Sequence, residues 1–198
     1  MPLASTRFTL LALFVGLTTM HAQTAPAWQP LNGEQRWANF FDTTVEAPTF
    51  WGAALISAGY SQITNAPPEW NQGAYGLGRR MASKLAVYGI QETIHQGGEA
   101  ILRYDPRYLA CECKGFWIRT GHAIKWSFLT KNNSGRTRLD FPVLAGTYGA
   151  GMLSTYWYPA RYNPLSDGVR NGNQQLGISV GLNIIREFEP DLKHLFKH

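Results

Sequence analysis

Two stretches of this chain carry no charge and share one pattern of small residues. Residues 47–68 and 141–160 contain no Asp, Glu, Lys, Arg or His. Wound as helices, the first lines one face with Ala53, Ala54, Ser57, Ala58 and Ser61. The second does the same with Ala145, Gly146, Gly149, Ala150 and Ser154. Positions i, i+1, i+4 and i+5 fall on one side of a helix, and small side chains there let two backbones approach closely. Close packing is therefore predicted for both stripes, with each other or with a third face formed by Gly177 and Gly181.

Helical spacing extends to the other segments. Residues 31–41 open on Asn32, a good capping residue, and bring Trp37, Phe40 and Phe41 onto neighbouring positions. The first striped helix is predicted over 47–64, with Pro48 in its first turn, where proline is tolerated, and Asn65-Ala66-Pro67-Pro68 as its stop. Residues 69–102 read as one long helix or a broken pair. Glycines at 73, 76, 78, 89, 97 and 98 interrupt it, each costing ~1 kcal/mol in an isolated helix. A further helix is predicted over 116–130, closed by the polar turn residues 131–135. In the last segment, 169–188, Leu176, Val180, Ile184 and Phe188 recur every four residues, and Glu189-Pro190-Asp191 is expected to end it. The expected fold class is all-α, a compact glycine-rich bundle of about five to six helices.

A second pattern competes. Residues 178–184 alternate apolar and small or polar side chains as a strand would, and Ile118, Thr120, His122, Ile124, Trp126 and Phe128 share one parity. A small outer-membrane β-barrel is the alternative. Against it, the small residues of the two stripes cluster at helical spacing, and eleven prolines are awkward for strand ladders.

Residues 1–22 have the build of a signal peptide: Arg7, an apolar core over 8–17, and Ala22 at the end. The expected organisation is a signal peptide (1–22), an extended leader (23–30) and a single helical domain (31–198). The location this implies is export to the periplasm or outer membrane of a Gram-negative-type bacterium. Lys and Arg number 18 against 13 Asp and Glu, and loss of the signal removes only Arg7. Eight of the basic residues fall between positions 103 and 138, against Asp105 and Glu112. Such a block can face anionic lipid or simply aid solubility, whereas nucleic acid is a poor partner for an exported chain.

Candidate chemistry is sparse. Glu92, His95 and Glu99 share one helical face, but di-metal bundles need a second Glu-x-x-His, which is missing, so the face reads as a surface polar stripe. Gly73-Ala74-Tyr75-Gly76-Leu77-Gly78-Arg79-Arg80 has the glycines of a phosphate loop without its Lys-Ser/Thr ending, so helix packing explains it better. Cys111-Glu112-Cys113 lacks the further ligands of a zinc site and reads as an incidental exposed pair. No serine sits in a Gly-x-Ser-x-Gly turn, and His95 and His122 have no partner visible in the sequence. No catalytic residue, cofactor site or metal site is assigned on these grounds. Aromatic and Arg residues cluster near helix ends, with Asp105, Glu69 and Asp140 as expected partners for Arg79, Arg107 and Arg119.

At these same motifs the chain resembles a family of small exported bacterial proteins that has no established activity or ligand. The resemblance rests on Pro67-Pro68-Glu69-Trp70 with the glycine-rich run that follows to residue 83, on Asp105-Pro106-Arg107-Tyr108, and on Gly115-Phe116-Trp117-Ile118-Arg119-Thr120-Gly121. Trp157-Tyr158-Pro159 and Arg186-Glu187-Phe188-Glu189-Pro190-Asp191 complete it. The functional expectation is an exported cell-envelope protein of structural or interaction type, membrane-associated through the striped helices, with membrane lipid or another envelope protein as partner. The alternative is a soluble periplasmic, hydrolase-like enzyme using His95 or His122 with a nearby carboxylate.

Overall fold

The structure, a computed structural model, describes residues 28–195. The expected signal peptide and most of the leader lie outside the described residues. Six α-helices and one short hairpin make up the fold: α1 (Gly33–Phe40), α2 (Pro48–Ile63), α3 (Gly73–Leu102), α4 (Phe116–Trp126), β1 (Leu129–Lys131), β2 (Thr137–Leu139), α5 (Phe141–Ser154) and α6 (Ser166–Leu195). The all-α reading holds; the two strands pair only with each other, and no barrel closes among the described residues.

Local chemistry accounts for three of the helix starts. Asn32 and Gln35 form a reciprocal capping box on α1, each side chain accepting a bond from the other's backbone N–H. Pro48 occupies the first turn of α2. Asp140 caps α5 by accepting from the Val143 N–H.

Packing is organised by α3, which contacts both α2 and α5, while α5 also lies along α6 and α4 packs on α6. The glycine-laden α3 runs unbroken for 30 residues. Tertiary contact therefore overrides its poor propensity, as expected when burial rather than intrinsic preference holds a helix. Small and polar side chains are prominent in the core: Ala53, Ala54, Ala58, Ala123, Ala150, Thr147 and Ser154 are all buried, beside Trp70, Val87, Tyr88 and Val143.

The stripes do pack tightly, but each meets α3 rather than the other. A Cβ on Gly146 would lie 2.6 Å from the Gln91 carbonyl oxygen of α3, and one on Gly151 would lie 2.5 Å from the Gly168 carbonyl oxygen of α6. Only glycine permits these two approaches. The face of α6 that α5 uses is thus Gly168 and Gly172. Gly177 and Gly181 meet open space instead.

Two boundaries differ from expectation. The segment predicted as helix to residue 130 leaves helix after Trp126 and enters the hairpin, where Leu129 pairs with Leu139. At the other end, α6 continues through Pro190 to Leu195 instead of stopping. Arg119 of α4 bonds the Glu187 carbonyl on one side of Pro190 and the Asp191 carboxylate on the other, so tertiary contacts hold the helix across the missing N–H.

Candidate functional site

The polar face of α3, expected as a surface stripe, is instead half-buried to buried against a cavity, and it gains a fourth member. His95 and Glu99 stand one turn apart, Glu92 lies one turn before His95, and Asp140 arrives from the hairpin–α5 junction. The β1–β2 hairpin sets that junction, because the Asp140 N–H donates to the Phe128 carbonyl at 2.9 Å. His95 Nε2 lies 3.1 Å from Asp140 Oδ2 and 3.5 Å from Glu99 Oε1, while Nδ1 lies 3.7 Å from Glu92 Oε2. Three carboxylates therefore surround one imidazole. They border a cavity of about 400 Å³ that Gln96, Ser127, Asn183 and Arg186 also line.

Electrostatics follow from that geometry. Burial lowers the basicity of His95, but hydrogen bonding to Asp140, Glu92 and Glu99 outweighs it and holds the ring well above the ordinary imidazole range. Burial raises Glu99, against the opposing pull of His95. Burial would also raise Glu92, yet bonds with His95 and Gln96 bring it below the usual carboxylate value. Asp140 is therefore a partner of His95, not of an arginine as expected.

The other histidine serves a different structure. Glu187 of α6 is fully buried and well supplied: Tyr108 Oη–H donates at 2.6 Å and the Cys111 N–H at 2.9 Å, with His122 Nδ1 at 3.3 Å. This knot ties the loop after α3, and the start of α4, onto α6. Burial, reinforced by the bond to Glu187, pushes the Tyr108 phenol up. Cys111 and Cys113, expected as an incidental exposed pair, are half-buried and joined in a disulfide at one edge of the knot.

The glycine-rich segment resembling a phosphate loop is also consumed by structure. Arg80 is buried, and its guanidinium donates to Gln62 Oε1 and the carbonyls of Ala66, Pro67 and Asn71. With a longer contact to Asn65 Oδ1, every N–H of the Arg80 guanidinium is directed at a protein acceptor. Arg79 stacks over the Trp70 ring at 5.0 Å, Arg107 pairs with Asp105 at 2.6 Å, and Glu69 pairs with Arg161 rather than with Arg79. Arg119 goes to Glu187 and Asp191.

A second cavity, which the sequence did not foretell, runs between α2 and α6. It measures about 1000 Å³, and its walls include Ile56 and Tyr60 of α2 and Ile178, Leu182 and Ile185 of α6. Lys84 of α3 also lines it. This side chain is only 7% exposed, and its amine makes no hydrogen bond or ion pair among the described residues. Burial lowers its basicity accordingly. Gln175, buried on the same wall, leaves Oε1 without a donor. Gly177 and Gly181 provide the width of the groove rather than a helix contact.

The outer side of α2 adds to this picture. Trp51, Leu55, Ile56, Tyr60 and Ile63 are all exposed, Ile56 at 74% and Ile63 at 86%. No helix among the described residues is long and apolar enough to cross a membrane.

No family model, curated protein or solved structure matches this chain.

Proposed function

We propose that the chain is an exported cell-envelope protein of interaction type whose partner is membrane lipid. The observation that carries this reading is Lys84: a side chain only 7% exposed, whose amine has no partner among the described residues, on the wall of a groove where Ile56, Ile178, Leu182 and Ile185 meet polar side chains such as Arg170 and Gln175. An unpaired buried ammonium is costly, and a ligand anion relieves that cost. The groove is large enough for an acyl chain, at the upper end of the usual small-molecule range of ~300–1,000 Å³. Its α2 wall continues into an uncharged helix with exposed Trp, Tyr, Leu and Ile, a composition suited to lying in the lipid–water boundary. The small residues of α2 hold the helix on α3, and its large residues meet the lipid. A single acyl chain carrying an anionic headgroup fits both halves of the site.

Laurate tests this directly. It should bind one molecule per chain, at least ~10-fold tighter than dodecyltrimethylammonium, which has the same tail and the opposite charge. Equal binding of the two, or none, would refute the reading.

The hydrolase-like alternative retains one supporting observation, the approach of His95 to Asp140 and Glu99 in a polar cavity. His122 does not favour it, because its carboxylate partner Glu187 is already committed to the Tyr108 and Cys111 donors.

A further inference from the structure

We propose that His95, Glu99 and Asp140 form a binding site for a first-row divalent transition-metal ion. The first ground is spacing. In a tetrahedral site with metal–ligand bonds of ~2.0–2.1 Å, ligand atoms lie roughly 3.4 Å apart. His95 Nε2 is 3.1 Å from Asp140 Oδ2 and 3.5 Å from Glu99 Oε1, and the three ligand atoms all lie within 4.8 Å of one another. Both separations from His95 Nε2 are thus close to those of two ligands on one metal.

The second ground is an unsatisfied oxygen. Glu99 is 1% exposed, and its Oε2 is buried without any hydrogen-bond donor among the described residues. A carboxylate oxygen in that position costs stability unless a proton or a cation reaches it. Asp140 is differently prepared. Its Oδ1 is fixed by the Val143 N–H, which leaves Oδ2 directed at His95.

The third ground is the shell around the ligands. A metal-bound histidine ordinarily gives its other ring N–H to a carboxylate, which sets the tautomer and orients the ring. Glu92 Oε2 faces His95 Nδ1 at 3.7 Å, and Gln96 Nε2 donates to that same oxygen at 3.3 Å. Gln96 is in turn tied to Asn39 and Thr43. The ligand set also rests on rigid backbone, because the tight approach of Gly146 to Gln91 and His95 fixes α5 against α3.

One nitrogen and two carboxylate donors, without a thiolate, suit Zn²⁺, Fe²⁺ or Mn²⁺. Three protein ligands leave at least one position turned toward the cavity, the arrangement of a site that exchanges ligands. The cluster of Cys111, His122 and Glu187 has a similar span but not this capacity. Its cysteine is oxidised, and both Glu187 oxygens already accept hydrogen bonds.

Zn²⁺ and Mn²⁺, titrated separately into chelator-stripped full-length mature protein in a calorimeter, test the site. One ion per chain is expected, with affinity falling at least ~10-fold in Glu99→Gln and in His95→Gln, and ~10–100-fold in Glu92→Gln. His122→Gln should bind as the parent does. In wild-type protein loaded with Mn²⁺, pulsed electron paramagnetic resonance should detect one coordinated imidazole nitrogen, a signature that needs no variant to fold. Absence of that nitrogen signal, unchanged affinity in Glu99→Gln, or loss confined to His122→Gln would each overturn the assignment.

Discussion

Asp140 Oδ2 lies 3.1 Å from His95 Nε2, joining residues 45 positions apart across the contact between α3 and α5. The pairing exists because Gly146 has no side chain. With the Gln91 carbonyl 2.6 Å from where a Cβ would stand, α5 can carry Asp140 to His95 only while position 146 stays glycine.

Gly146→Ala should therefore destabilise the fold by ~1–3 kcal/mol, the usual range for overpacking a tight interior. Gly177→Ala is the matched control. Nothing lies within 4 Å of its Cβ, and removing a helical glycine should add up to ~1 kcal/mol. Urea denaturation of the two variants checks the contrast, and equal midpoints would contradict it.

The Glu187 knot should behave as a buried charge cluster. Glu187→Ala leaves Arg119, His122 and the Tyr108 hydroxyl facing a void. Breaking such a buried ionic arrangement from one side costs ~3–5 kcal/mol. A large drop in melting temperature is expected, together with loosening of the loop between α3 and α4 in hydrogen exchange. A loss below ~1 kcal/mol would show that water replaces the carboxylate.

The outer face of α2 should matter for lipid and not for stability. Ile56→Glu combined with Ile63→Glu alters side chains that are mostly in solvent, so folding free energy should change by no more than ~0.5 kcal/mol per site. Flotation with vesicles of phosphatidylglycerol and phosphatidylethanolamine should fall several-fold. Unchanged flotation would remove α2 from the lipid contact.

Much of the architecture was legible because local rules and packing agree along most of the chain. The Asn32 cap, Pro48 in a first turn and the small-residue stripes at Ala53/Ala54 and Gly146/Ala150 are local patterns, and each marks its helix correctly. The failures lie where a distant residue overrides a local signal. Pro190 reads as a stop, but Arg119 clasps the backbone before it and Asp191 after it. The alternation over 178–184 mimics a strand, yet the positions that line the groove, 178, 181, 182 and 185, follow helical spacing. Ser179, between them, accepts a hydrogen bond from Gln91 of α3.

The site was half visible. Glu92, His95 and Glu99 share a turn-spaced face and can be found by periodicity alone. Asp140 cannot, because its role comes from a hairpin and a helix crossing rather than from spacing; its only local mark is the cap position before Phe141-Pro142. Lys84 sits in a glycine-rich helix and looks like any solvated lysine. Its isolation is created by the walls that α2 and α6 place around it.

That isolation gives the sharpest prediction. A lysine whose folded value is depressed below 10.5 binds fewer protons when folded than when unfolded. Its contribution to stability is therefore lost as pH falls through that folded value and recovers as pH rises toward 10.5. Lys84→Met removes the buried amine while keeping the length and apolar bulk of the side chain. It should raise the stability of ligand-free protein at neutral pH and flatten this pH dependence.

The decisive measurement is laurate affinity in Lys84→Met beside its stability in the absence of ligand. Lys84→Met should give a more stable protein that binds laurate at least ~10-fold more weakly, the pattern of a residue kept for binding at the expense of folding. A variant that binds laurate as the parent does would contradict the proposed lipid site.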